Sequence, residues 1–189
     1  MTFSITGICQ RTAMAGVAIT TSSISVGSRC PWARAGAGAV ATQNITDPAI
    51  GNQVLDLMEA GMDAASAMAK VMDQRPHAQY RQVTAVDLQG NIAHQTGDQI
   101  LGTNAVSQGA YCVGAGNLLS SIEVPGAMTR VFGDHPDLHL AERLLCPLEA
   151  GVSAGGEEGP IDSAALLVAP TPSWPLVDRR VDWSDHPVN

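Results

Sequence analysis

The order in which local patterns follow one another constrains this 189-residue chain most: strands, a helix pair, strands, a second helix pair, strands again. Strands arriving in blocks, with no helix between neighbours, do not build the parallel sheet of alternating strand–helix chains. They imply an α+β fold of mainly antiparallel sheets. A sheet pair sandwiched between two helical layers, a four-layer αββα arrangement, fits this order.

The elements behind that order rest on local signals. Residues 2–6 and 14–20 read as two strands joined by a turn around 7–12. Residues 21–38 are rich in Ser, Gly and Ala and read as irregular, and 39–43 as a short strand. Asp47 offers an N-cap acceptor, Pro48 suits the first helical position, and Gly61 lies just past a helix ending at Ala60. Asp63 caps a second helix over 64–72, and Arg75-Pro76 closes the pair. Leu55, Met58 and Met62, with Met68, Val71 and Met72, supply apolar faces at helical spacing. Residues 80–87 and 92–96 flank the turn signal Asp87-Leu88-Gln89-Gly90-Asn91, a hairpin. Further expectations are a strand over 110–114, helices over 121–132 and 138–150, and a loop over 153–159. Strands over 163–169 and 176–183 complete the set. No internal repeat or boundary interrupts the chain, so 1–189 is expected to form one domain, its polar tail 183–189 folding over the body.

Composition narrows the function classes. Hydrophobic residues make up 45% and charged residues 15%, which suits a packed chain and not a disordered one. The formal net charge is −8 and Lys70 is the only lysine, so a nucleic-acid partner is not expected. No run approaches the roughly 18 apolar residues of a membrane span, so no membrane partner is expected. The start lacks a charged segment followed by a long apolar one, and Cys9, Cys30, Cys112 and Cys146 show no CxxC or zinc-ribbon spacing. A reducing cytoplasm with free thiols is the simple expectation. Seven methionines and a lysine-poor, apolar surface point to a homo-oligomer, a dimer in the simplest case.

Neither a cofactor nor a metal is expected. Gly36-Ala37-Gly38-Ala39 does not open a helix after a strand, so it is no phosphate loop; its expected work is close packing of backbone against the facing sheet. His135 and His139 have the i, i+4 spacing of a helical zinc pair, but Pro136 puts His135 ahead of the helix.

The residue with the most direct chemical reading is Thr2. A hydroxyl residue one position after Met1, leading into a strand, becomes an N-terminal nucleophile when Met1 is removed, with the freed α-amine as its base. An α-amine has a pKa of about 7.7–8.0, which suits that task. The plain alternative is a β-branched residue opening an edge strand. Thr20-Thr21-Ser22-Ser23 and Ser25 make a hydroxyl-rich end to the second strand, which either lines a polar pocket, with Thr20, Ser22 and Ser23 at its border, or satisfies a turn. Arg34 lies between small residues and either holds a substrate anion or joins a structural ion pair. Asn117, after Gly114-Ala115-Gly116, is either a pocket contact or a left-handed turn residue.

Several stretches together resemble one bacterial family, domain-of-unknown-function family 1028. They are Thr2-Phe3-Ser4-Ile5, Gly16-Val17-Ala18, the long run from Pro31-Trp32-Ala33-Arg34 to Ala41-Thr42-Gln43, Tyr80-Arg81-Gln82-Val83, Gly97-Asp98 and Gly116-Asn117. Leu140-Ala141-Glu142-Arg143-Leu144-Leu145, Ser163-Ala164-Ala165-Leu166-Leu167-Val168, Arg180-Val181-Asp182 and Asp185-His186-Pro187 extend the likeness over nearly the whole chain. The resemblance implies an N-terminal-nucleophile hydrolase type of αββα fold and no established activity. It implies that the end of the second strand lies beside the nucleophile. Proteasome-like members of that superfamily carry a lysine near the nucleophile, whereas Lys70 here falls in the second helix. Two functions follow as expectations. One is hydrolysis of the C–N bond of a small metabolite, with Thr2 as nucleophile and Thr20, Ser22, Ser23, Arg34 and Asn117 around the substrate. The other is a non-catalytic binding or structural protein that keeps Met1.

Overall fold

The computed structural model describes residues 1–73, 75–170 and 174–188. Its elements run β1 (Thr2–Cys9), β2 (Met14–Thr21), β3 (Pro31–Arg34), β4 (Gly38–Asn44), α1 (Pro48–Glu59), α2 (Ala64–Met72), β5 (Arg81–Asp87), β6 (Ile92–Thr96), β7 (Ala105–Gly109), β8 (Cys112–Asn117), α3 (Val124–Asp134), α4 (Leu140–Ser153), β9 (Ser163–Ala169) and β10 (Val177–Val181). Six strands form one sheet in the order β10-β9-β2-β1-β8-β7, and four form the other, β3-β4-β5-β6. Every pairing is antiparallel.

Three apolar clusters hold the layers together. Phe3, Ile5, Leu119, Met128, Phe132, Leu144 and Leu148 join α3 and α4 to the six-stranded sheet. Val40, Ile50, Val54, Leu55, Met68 and Val83 join α1 and α2 to the four-stranded one. Ile8, Val17, Ile19, Val26, Val86 and Val113 fill the space between the sheets. The layers are thus helices, sheet, sheet, helices, as the element order implied.

Strand β1 sits centrally in its sheet, between β2 and β8, and both its faces are buried. Its alternation is unusual. Phe3 and Ile5 pack on the helices, while Thr2, Ser4 and Thr6 point toward the other sheet, where Ser4 bonds Gln43 and Thr6 bonds Thr84. A polar stripe is therefore turned into the middle of the protein.

The helix starts match the capping signals. The Asp47 carboxylate accepts from Ala49 N at 3.0 Å, and that of Asp63 from Ser66 N at 3.0 Å. The hairpin turn after β5 is tied by Asp87, which accepts from the backbone N–H groups of Gln89 and Asn91 and from Ala64 N of α2.

Several expectations are corrected. The irregular stretch 21–38 contains β3, a four-residue edge strand that begins with Pro31. Pro cannot donate to a ladder, so a strand starting with it carries a weak signal. The strand expected over 110–114 begins instead at Cys112, because Tyr111 takes a left-handed φ of 66° in a tight turn. That turn leads back to β7, an edge strand of mixed polarity which sequence reasoning missed. Gly36 and Gly38 both have positive φ in the β3–β4 turn, and a side chain at Gly38 would strike the Val86 carbonyl of the neighbouring strand. The close approach is thus at Gly38 alone, to its own sheet and to Met58 of α1, and not to the facing sheet; a Cβ at Gly36 would meet nothing within 4 Å. His135 ends α3 and His139 caps α4, so the two do not share a helix face. Ser184 N bonds Asp162 O and Ser25 N bonds Asp182 O, which ties the tail to the body; its last residue, Asn189, lies outside the described residues.

Gly51, in the middle of α1, is where the Trp32 indole of β3 meets the helix: a Cβ there would lie 2.1 Å from the ring. Gly51→Ala should cost about 1–3 kcal/mol through overpacking, read as a lower urea midpoint with unchanged slope. A stability equal to wild type would mean that Trp32 does not rest on α1.

Candidate functional site

The polar stripe of β1 ends at Thr2, and the site is built around that end. In register, Thr2 lies opposite Thr21 of β2 on one side and Asn117 of β8 on the other. Directly opposed residues of antiparallel strands share a face, so all three side chains turn toward the second sheet. The Thr2 and Thr21 hydroxyl oxygens are 3.1 Å apart. Both hydroxyls donate to the same acceptor, the Met1 carbonyl oxygen, at 2.5 Å for Thr2.

Beneath this group runs a buried chain of amides. Ser4 Oγ donates to Gln43 Oε1 (3.0 Å), and Gln43 Nε2 donates to Gln82 Oε1 (2.6 Å) across β4 and β5. Gln82 Nε2 reaches Thr96 Oγ1 (3.3 Å), and Asn117 Nδ2 donates back to Gln82 Oε1 (3.4 Å). Burying these groups is tolerable because each is hydrogen-bonded. One acceptor is left over: among the described residues, Asn117 Oδ1 has no partner.

Over the end of β1 passes the segment Gly156–Gly159. It is pinned to the residues that follow β8 by Ser120 N to Gly156 O and Glu158 N to Leu118 O, both 3.0 Å, and to the residue that follows β2 by Ser22 N to Glu157 Oε2 at 3.2 Å. Glu157 is thereby held over the site at only 6% exposure, and its Oε1 has no partner among the described residues. Burial pushes its carboxyl up; the Met1 ammonium and the Ser22 hydrogen bonds pull it back, Asp162 adds to the rise, and the result is about 8. A carboxyl raised in this way lies in the range useful for proton transfer.

The structure brings together only part of the set expected from sequence. Asn117 is in β8, beside Thr2, and not in a left-handed turn; Leu118 takes the positive φ instead. Ser23 Oγ is 3.4 Å from Thr21 Oγ1, at the rim, where it also accepts from Arg29. Ser22 contributes its backbone N–H. Thr20 lies on the opposite face of β2, its hydroxyl donating to Ser163 O at 2.8 Å, so Thr21 has the place expected of it. Arg34 is elsewhere. It pairs with Gly38, at the end of β4 remote from Gln43, and is held by Asp56 (2.5 Å) and Glu59 (2.9 Å) of α1. The ion-pair alternative describes it, and the anion-holding one does not.

Sequence reasoning left Thr21 unnamed among the pocket residues, though inside its hydroxyl-rich run, and missed Gln43, Gln82 and Glu157. The alternation Thr2-Phe3-Ser4-Ile5-Thr6 carried a usable signal for the first three: three hydroxyls on one face of a strand buried on both sides require polar partners. Nothing local marked Glu157, in a glycine-rich loop. Among the described residues no group of three or more His, Cys, Asp or Glu side chains could hold a metal ion, and no helix is long and apolar enough to cross a membrane.

Comparison with known proteins follows the same lines. The sequence profile of a family of unknown function, DUF1028, matches residues 2–189. A crystal structure of a Silicibacter pomeroyi protein of that family is similar with a TM-score of 0.91 and 33% identity, covering 99% of this chain and 81% of the other. Anbu (ancestral beta-subunit) from Yersinia bercovieri is similar at a TM-score of 0.42 and 12% identity, over 98% of this chain and 88% of its own. No curated protein matches.

The raised carboxyl of Glu157 has a measurable consequence. An acid whose folded pKa exceeds its unfolded value binds more protons when folded. Its contribution to stability is full below about pH 4.5 and fades as pH rises to about 8. Glu157→Gln removes that slope. Urea unfolding at about pH 5 and about pH 9 should show the variant gaining on wild type at the higher pH. A difference independent of pH would show that Glu157 titrates normally.

Proposed function

This chain belongs to the DUF1028 family of unknown function, and we propose that it hydrolyses a small-molecule amide with Thr2 as its N-terminal nucleophile, on a sandwich of the N-terminal-nucleophile hydrolase type. The observation that carries this reading is the Met1 carbonyl oxygen held between the hydroxyls of Thr2 and Thr21. An acyl oxygen already rests between a nucleophile and a second donor.

The mechanism begins when Met1 is removed. The Thr2 α-amine accepts the Oγ1 proton as Oγ1 attacks the substrate's amide carbon. Thr21 Oγ1 donates to the developing oxyanion, as it donates to the Met1 carbonyl in the intact chain. The proton passes from the ammonium to the leaving nitrogen, the amine departs, and an ester on Thr2 remains. Water, deprotonated by the same amine, releases the carboxylic acid. The net change is one amide and one water to one acid and one amine. No lysine is needed, since the α-amine supplies the base.

We place the reaction in a reducing compartment, the cytoplasm, which the free thiols of Cys9, Cys30, Cys112 and Cys146 fit. A homodimer is part of the proposal, supported by the exposed Ile24, Ile45, Leu101, Ile122, Trp174 and Trp183. Sedimentation at micromolar concentration tests it, and a monomer would end it.

Intact-mass measurement paired with turnover of a panel of small amides tests the central claim. The active fraction should lack Met1, and Thr2→Ala should lose about 1,000-fold or more in rate while unfolding as wild type does. Activity in material that wholly retains Met1, or undiminished activity in Thr2→Ala, would end the claim that Thr2 is the nucleophile, and absence of turnover in chains lacking Met1 would leave the non-catalytic binding reading in its place.

A further inference from the structure

Resting on that reading, we propose that the substrate is an α-aminoacyl amide: an acyl group whose α-carbon carries an amine, received by Glu157 and Asn117 while Thr21 receives the carbonyl. The pattern of unmet hydrogen bonds leads there. Around Thr2 two buried side-chain oxygens lack partners among the described residues: Asn117 Oδ1, an acceptor, and Glu157 Oε1, which becomes one when a neighbouring ammonium holds the carboxyl ionised. A buried acceptor left unpaired costs about 1–3 kcal/mol, so a ligand bringing N–H donors is favoured over one bringing further acceptors. Anionic ligands find no matching cation. Arg34 is bound to Asp56 and Glu59, and Arg29 at the rim spends its donors on Ile24 O, Ser25 O and Ser23 Oγ.

Met1 itself outlines the fit. It is an α-aminoacyl group joined to Thr2 by an amide bond. Its carbonyl is held by the two hydroxyls, and its ammonium is near enough to Glu157 to act on that carboxyl. Its methyl Cε lies against Gly159, where an added Cβ would approach to 3.0 Å. Glu157 and Gly159 thus face the amine and the side chain of one amino acid from the same short segment. The hydrolysis is the one written above: water's hydroxyl goes to the aminoacyl carbon and its proton to the departing amine.

The test uses the chain beginning at Thr2 with a matched pair, L-methioninamide and its des-amino analogue 4-(methylthio)butanamide. Ammonia release gives turnover, and calorimetry on the Thr2→Ala chain gives binding. The proposal expects at least a tenfold preference, in kcat/KM and in Kd, for the amino compound, falling to about one in Glu157→Gln. Equal handling of the pair by wild type, or a preference that survives in Glu157→Gln, overturns it. If neither compound is hydrolysed, the catalytic reading fails for this pair while binding still decides the inference. Tighter binding of the amino compound upholds it, and equal or absent binding overturns it.

Discussion

The contact between the two sheets at Gln43 and Gln82 is the one on which the rest depends. These side chains, opposite each other on β4 and β5, bond at 2.6 Å and reach Ser4 of β1 and Asn117 of β8 in the other sheet. Apart from the Thr6–Thr84 bond, the sheets elsewhere meet mainly through Ile, Val and Ala side chains, which tolerate sliding. Directional bonds between amides do not. A slip of one residue in β1 would carry Ser4 and Thr6 to the helical face and leave Gln43 buried without its partner. The network therefore fixes the register that sets Thr2 between Thr21 and Asn117.

The same bonds explain how the site can be polar and still buried. Each amide spends its capacity on a neighbour until the chain runs out at Asn117 Oδ1, at the foot of Thr2. Glu157 repeats the situation from above, with one oxygen tied to Ser22 N and one left over. Unmet side-chain oxygens thus collect around Thr2.

Much of the architecture was legible from sequence because its signals are local. Caps at Asp47 and Asp63, the turn after Asp87 and the apolar run of β9 fall where periodicity and turn chemistry place them. Edge strands β3 and β7 were not legible, since an edge can be short, begin with Pro or mix polar with apolar residues without cost. Of the residues named from sequence, Thr2 and Asn117 lie side by side, but Thr20 was named where Thr21 stands; which side of β2 faces the interior is set by pairing with β1, and a run of hydroxyls hides that phase. Arg34 drew notice by its small neighbours, yet its fate was decided by two acids more than twenty residues away, on α1. Glu157 needed the whole fold, because only the crossing of its loop over β1 gives it a role.

That crossing also orders events in time. Strands β1 and β2 pair as neighbours in sequence, whereas β8 and then the Glu157 segment lie more than a hundred residues beyond β1 along the chain. Until they arrive the amino terminus is open to any processing enzyme, and afterwards it is roofed over. Chain growth thus acts as a clock for the site: the fate of the first peptide bond is decided in the interval between making one strand and laying a loop across it.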